Sequence, residues 1–423
     1  MRKILDTTPL EMKRLMDRPR LLFYSPLSLS GNGGVSFFLA HAVDLLKERC
    51  RITIALPNRP NWEAVNAKYQ SHLNEDDVKV VIVKPMSHWV RFLRLSFNCC
   101  EPHPVLRREA LRNDLCASFL NIGYFGKPAV HFAADVYITD ELGIKRPRIE
   151  LWNPLRRSFR GRIRMICRGR LISAKRFLQS VLGHHRRLRK ALIKNGDCVV
   201  ANSRWIASFF EKANFPVVLL YPPVVTEFPH VPLADRIADF VCIGRISHQK
   251  RIERMVEILA EVRRRSGREF LFHIIGELKD DPYSEYIKEL ARRYSWITLE
   301  GSLFGAEKEK LLTGCRYAIH ACEFEAFGIS VAEYLKAGCI PFVPDEGECA
   351  EIVGSSEFCY AGAEDAVGKI LRFLEQDEAE QEKVQARMLE RGRLFTLEKF
   401  DEEFTALIGE KLAKCGFPGV LRR

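Results

Sequence analysis

The chain has 423 residues, 47% of them hydrophobic and 28% charged, with a formal net charge of +12. This is ordinary globular composition; the length favours two or three domains, and neither low-complexity sequence nor a repeat period is present. No apolar run approaches the roughly 18 residues of a spanning helix, and the charged opening MRKILDTTPLEMKRLMDRPR lacks the apolar core of a signal peptide, so the expected location is cytoplasmic, free or peripheral on the cytosolic face of a membrane.

The elements follow in chain order. Leu21 to Tyr24 reads as a short buried strand, followed by the Gly-rich loop Ser30-Gly31-Asn32-Gly33-Gly34. Val35, Phe38, Leu39, Ala42, Leu45 and Leu46 then fall at helical spacing. Arg51–Ala55, Lys79–Val83 and Asp197–Ala201 read as further strands. Strands alternating with helices predict a parallel sheet covered on both faces.

Between Lys145 and Lys194 stand 17 Lys or Arg and one acid, Glu150, so this segment carries +16 and the rest of the chain about −4. From Arg156 to Leu182, Ile163, Ile166, Ala174, Phe177, Leu178 and Val181 fall on one helical face. Arg164, Arg168, Lys175 and Arg176 fall largely on the other, with Arg170 intruding on the apolar side. A basic amphipathic helix suits an anionic membrane surface; a core helix with a solvated basic face is the plainer alternative. Nucleic acid is not expected, because aromatics able to stack on bases are sparse there.

Tyr221-Pro222-Pro223 reads as a hinge, after which the alternation restarts. Strands are predicted over Asp239–Ile243, Phe270–Ile275, Ile297–Glu300, Tyr317–His320 and Ile340–Val343. Helices are predicted over Ile252–Arg265, Tyr283–Arg293, Glu307–Thr313, Ile329–Ala337 and Ala363–Gln376. Two doubly wound domains would set two rows of strand ends across one cleft, where open parallel sheets bind ligands.

In this second unit Glu325 follows a strand, and Glu333 lies eight residues later on the next helix. Ala326, Phe327 and Gly328 lead into that helix, whose free N–H groups and positive end suit a diphosphate. A bare pair of glutamates at this spacing is more often two solvated acids. The company changes the reading: Arg245 and Lys250, after the first strand of the same unit, could neutralise a leaving diphosphate. Glycines close three strands, at Gly244, Gly276 and Gly301, where backbone must approach a ligand. The 13 cysteines form no CxxC pair, and Cys242, Cys315 and Cys339 sit in apolar runs. They read as small buried hydrophobes in a reducing compartment.

With these motifs the sequence resembles the retaining glycosyltransferases of family 4, whose fold is GT-B: two Rossmann-like domains facing each other across a cleft. The resemblance covers most of the chain and is strongest from Phe240 to Val353. It rests on Gly244-Arg245 with Lys250, on Ile274-Ile275-Gly276-Glu277, and on Glu325-Ala326-Phe327-Gly328 leading to Glu333. The stretch Glu346 to Val353 is similar to the family's "GG…EIV" loop, with Asp345-Glu346 and a single Gly347 in place of two adjacent glycines.

The resemblance implies an acceptor domain over 1–225, a donor domain over 226–395, and a helical tail over 396–423 packing back on the first domain. It implies that Arg245 and Lys250 hold the diphosphate, Glu325 the transferred sugar and Glu333 the ribose, with Leu303 near the base. Gly33 and Gly34 match the family's glycine loop, and His131 a histidine near the transferred sugar. No cofactor is implied, and no metal, since a DxD-type motif near the donor site is absent. The order of motifs is similar to that of mannosyltransferases extending lipid-linked oligosaccharides at the cytosolic membrane surface. GDP-mannose is therefore the favoured donor, and a glycan or polyprenol-linked acceptor the expected partner. The alternatives are a nucleotide-sugar epimerase of the same fold, a phosphorylase (which needs a lysine-held pyridoxal cofactor with no candidate lysine), and a basic nucleic-acid-binding protein.

Overall fold

A computed structural model of the chain describes residues 18–30, 34–84, 103–120, 122–133, 184–322, 325 and 327–421. Its first sheet contains β1 (Arg20–Tyr24), β2 (Arg51–Leu56), β3 (Val78–Ile82), β4 (Leu115–Phe119), β5 (Ala129–Ala133), β6 (Cys198–Ala201) and β7 (Val217–Leu219). The spatial order is β3-β2-β1-β4-β5-β6-β7, and every pairing is parallel. All five residues of β4 and of β5 are buried, as expected of strands covered on both faces. The covering helices are α1 (Gly34–Leu46), α2 (Trp62–Tyr69), α3 (Pro104–Ala110), α4 (His184–Asn195) and α5 (Arg204–Glu211).

The second sheet contains β8 (Ile237–Ile243), β9 (Phe272–Ile275), β10 (Ile297–Gly301), β11 (Cys315–Ile319), β12 (Ile340–Pro344) and β13 (Cys359–Tyr360). Their order, β10-β9-β8-β11-β12-β13, is again wholly parallel. Around them lie α6 (Ile252–Ser266), α7 (Pro282–Arg293), α8 (Gly305–Gly314), α9 (Ile329–Ala337), α10 (Glu348–Val353), α11 (Ala363–Leu374) and α12 (Glu378–Gly392). The long α6 is stopped by Gly267 in the left-handed region at φ 65°, and α7 is started by the Asp281 carboxylate, which accepts from two backbone N–H groups of its first turn.

The chain crosses between the sheets twice. It leaves the first domain at Tyr221-Pro222-Pro223, where the Val224 N–H donates to the carbonyl of Phe395. It then returns into α13 (Leu397–Lys414), capped by the Thr396 hydroxyl. Phe400, Phe404, Leu407, Ile408 and Leu412 of this helix belong to the core of the first domain, with Leu21, Phe23, Phe119 and Phe132. Phe38 of α1 joins the two, with its ring centroid 5.0 Å from Phe400, 5.1 Å from Phe119 and 4.9 Å from Phe132.

Arg164, Arg168, Lys175 and Arg176 lie outside the described residues; of the basic segment only α4 is described. Among the described residues no helix is long and apolar enough to cross a membrane. The described cysteines are reduced, and all but Cys415 are buried.

Candidate active site

The strand order reverses between β1 and β4 in one sheet and between β8 and β11 in the other. At such switch points the loops leaving neighbouring strands diverge and open a crevice. In the second domain those loops are Gly244–Lys250 after β8 and His320–Gly328 after β11. Two glycines let them come together. A side chain on Gly276 would put its Cβ 2.1 Å from the Gly244 carbonyl oxygen, so the β8 and β9 ends can touch only without one. Gly328 caps α9 at φ 84°, a left-handed conformation that turns the chain sharply into the helix.

A cavity of about 580 Å³ fills the space between the domains. Its second-domain wall includes Gly244, Arg245, Lys250, Glu325, Phe327, Gly328, Ile329, Ser330 and Glu333. Its first-domain wall includes Gly34, Phe37, Phe38, Phe132, Asn202 and Pro222, and Phe400 of α13 closes it from behind. Gly34 opens α1 and meets the first residue of α9: a Cβ there would lie 3.1 Å from Ile329 Cδ1. Two helix N-termini therefore face one cavity, a setting that favours an anion.

The charged groups are already arranged. The Lys250 ammonium donates to Glu325 Oε2, and His320 Nε2 lies 3.4 Å from the same oxygen. Burial alone would raise the Glu325 carboxyl, but His320 and Lys250 outweigh it and hold it below the usual range. Burial would lower Lys250, but Glu325 wins there too and the ammonium is raised. Burial lowers His320 below the usual imidazole range, although Glu325 pulls the other way. Arg245 is exposed on the cavity wall and makes no hydrogen bond or ion pair with the described residues. Just over one turn into α9, Glu333 accepts from Lys308 of α8 at 2.8 Å, with both side chains largely buried.

The structure thus gathers Gly34, Arg245, Lys250, Glu325, Phe327, Gly328 and Glu333 around one space. Gly33 and Ala326 lie outside the described residues. Gly276 supports the Gly244 loop from behind and does not line the cavity, nor does Leu303, which packs against the second-domain core. His131 is not on the cavity wall either. It is the third of five residues in β5, 0% exposed, with Nδ1 2.7 Å from Ser118 Oγ and Nε2 3.4 Å from Asp197 Oδ1. Its neighbour Phe132 takes the cleft-facing position, because successive side chains on a strand point to opposite faces.

Residues with no sequence assignment also shape the site. Lys308 holds Glu333, and the Thr226 hydroxyl lies 3.4 Å from the same ammonium. Across the cleft, Glu351 of α10 accepts from the backbone N–H of Arg204, at 2.9 and 3.0 Å, and from the Tyr221 hydroxyl at 2.6 Å. Beside it Glu348 is 0% exposed, with Oε1 3.5 Å from the Ser203 hydroxyl. Burial first, then the charges of Glu325 and Glu351, push its carboxyl up to about 9. His320, Cys322 and Glu325 are the described side chains able to hold a metal ion together.

Residues 227–394 match the family model described as glycosyl transferases group 1, and so cover the second domain. Solved structures align over nearly the whole chain. Anabaena HepE, in complex with UDP and glucose, aligns with a TM-score of 0.58 and 13% identity, covering 93% of this chain and all of that one. The sucrose-phosphate synthase of Thermosynechococcus elongatus gives 0.62 and 13%, covering 94% and 100%. The lipopolysaccharide outer core galactosyltransferase WaaB, in its apo form, gives 0.57 and 14%, covering 93% and 99%. The fold is GT-B. No curated protein matches the chain in sequence. In GT-B terms the cavity is the interdomain cleft, and the ion pairs of Lys250 and Glu333 lie on its second-domain side.

Proposed function

We propose that the chain is a nucleotide-sugar glycosyltransferase, with its donor in the second domain and its acceptor against the first. The match to glycosyl transferases group 1 over residues 227–394 supports the coarser part of this reading. The observation that carries it is the grouping of Arg245, Lys250, Glu325 and Glu333 around a cavity that two helix N-termini face. Such a surface fits a diphosphate flanked by hydroxyl-bearing sugars. Lys250, now paired with Glu325, turns to the diphosphate with Arg245, and the released Glu325 carboxylate accepts from the transferred sugar's hydroxyls. Glu333, steadied by Lys308, accepts from the ribose.

Transfer breaks the bond between the anomeric carbon and the diphosphate oxygen, which keeps the electron pair. The acceptor hydroxyl oxygen forms the new bond, and its proton passes to the departing phosphate on the same face. This route retains configuration without a protein nucleophile; the chain contributes orientation and charge stabilisation. The finer reading is a family 4 enzyme moving a hexose, with mannose from GDP-mannose favoured, to a glycan or polyprenol-linked acceptor at an anionic membrane surface. The apolar first-domain wall of Phe37, Phe38, Phe132 and Pro222 supports an acceptor with apolar parts.

HepE and the pneumococcal O-GlcNAc transferase GtfA were both solved with UDP, so the base must be tested directly. The experiment is a thermal-shift panel of UDP, GDP and their sugars, followed by transfer assays with the best binder. Stabilisation by GDP-mannose above the UDP-sugars is expected. Stabilisation by none of them at concentrations well above micromolar sinks the transferase reading.

A further inference from the structure

Two side chains beside Glu325, those of His320 and Cys322, are left unexplained by sugar and phosphate binding. His320 follows β11, is 1% exposed and does not line the cavity. Its Nδ1 has no hydrogen-bond partner among the described residues, and its Nε2 has only the loose contact with Glu325 Oε2 at 3.4 Å. Leaving a buried polar group unsatisfied costs about 1 to 3 kcal/mol, so this ring asks for a ligand. Two residues on, Cys322 offers a buried, reduced thiol, and three further on stands Glu325.

A ring nitrogen, the sulfur and a carboxylate oxygen from these three residues all lie within 4.8 Å of one another, and Nε2 and Oε2 are 3.4 Å apart. Zinc bonds of about 2.0 to 2.3 Å in a tetrahedron set ligand atoms roughly 3.3 to 3.8 Å apart. The imidazole–carboxylate edge is already at that spacing, and the sulfur lies within 4.8 Å of both other ligand atoms. One loop supplies all three ligands, at separations of two and three residues.

We propose that His320, Cys322 and Glu325 bind a divalent transition metal, zinc being the best fit, in competition with the Lys250–Glu325 ion pair. The mixed nitrogen, sulfur and oxygen set is wrong for magnesium or calcium, which take all-oxygen shells, and right for zinc. Three protein ligands leave the fourth position open. The Lys250 ammonium holds the oxygen the metal needs, so each cation excludes the other. The Cys349 thiol, buried on α10, is a second sulfur close by: a Cβ placed on Gly328 would lie 3.2 Å from Cys349 Sγ and 3.4 Å from Glu325 Cγ. The functional consequence rests on the donor-site reading above: zinc takes Glu325 from the sugar and inhibits the enzyme.

The test uses the full chain, stripped with a chelator and titrated with Zn²⁺ against a chromogenic competitor, and with Co²⁺ to read thiolate-to-metal absorption. One equivalent is expected to bind. Cys322→Ser and His320→Asn should each weaken binding at least about tenfold, and Cys322→Ser should abolish the thiolate band. Lys250→Met, by removing the competing cation, should tighten zinc by about tenfold. Zinc should lower the thermal shift given by UDP or GDP in the unmodified chain but not in Cys322→Ser, which should fold and turn over normally without zinc. Absence of stoichiometric binding, or binding unchanged in both ligand variants, overturns the site. Zinc that binds without disturbing the nucleotide overturns the competition. A chain that binds zinc through these residues but no nucleotide keeps the site and loses the transferase reading.

Discussion

On the second domain's side of the cleft the loops after β8 and β11 and the helix α9 carry Lys250, Glu325 and Glu333, each held in an ion pair at the cavity wall. On the first domain's side the same edge carries Phe37, Phe38 and Phe132, and the nearest polar cluster, Ser118, His131 and Asp197, is sealed inside the sheet. Both domains are doubly wound parallel sheets with a reversal of strand order at the cleft. Architecture therefore fixes where a ligand goes, while the side chains at the strand ends fix which part of it each wall can hold. The charged wall suits the diphosphate. The aromatic wall is continuous with a hydrophobic core and contributes shape and stability.

The comparison is broken or sharpened by substitution on each side, from the largest expected effect down. Phe404→Ala, in the core behind the aromatic wall, should cost about 3 to 5 kcal/mol of stability in chemical denaturation. A loss within the scatter of surface substitutions would show that α13 is not part of that core. Lys250→Ala or Arg245→Ala should lower kcat by about 10²- to 10³-fold with the circular dichroism spectrum unchanged. Retained turnover in both would remove the charged wall from the chemistry.

Glu348→Gln should raise Tm, with a pH dependence whose sign follows from the raised carboxyl. The group keeps its proton in the folded chain up to about 9 but in the unfolded chain only up to 4.5. Its stabilising contribution is therefore full below 4.5 and is lost progressively as the pH rises through 9. The variant's advantage should be absent near pH 4.5 and largest at and above pH 9; an advantage independent of pH would contradict the assignment. Lys308→Met should raise the donor KM by about tenfold at similar kcat, since it loosens a group that binds ground and transition states alike. A drop in kcat at constant KM would move Glu333 into the chemistry.

The second domain was the more legible half. Its strands end in glycines and its helices run in phase, and the predicted Ile329–Ala337 helix is observed with those bounds. In the first domain β4 is buried on both faces and β7 is only three half-buried residues, so neither shows an alternation to read. His131 illustrates the limit. In a strand buried on both faces the sequence does not say which side a residue points to, and here the cleft side belongs to Phe132. Lys308 and Glu348 escaped for a different reason. Neither is given a role of its own by the sequence, although Glu348 stands in the stretch Glu346 to Val353; only the tertiary structure brings Lys308 to Glu333 and Ser203 to Glu348.

The return of α13 into the first domain also bears on how the chain is made. Phe400, Phe404 and Leu412 leave the ribosome after every residue of the second domain, yet they complete the core under β1 and β4. The half synthesised first should therefore mature last, waiting with an uncovered apolar face while its successor folds. Pulse proteolysis of stalled nascent chains tests this order. Protection of residues 227–394 should appear before protection of β1 to β6, and the reverse order would show that the first domain closes without its last helix.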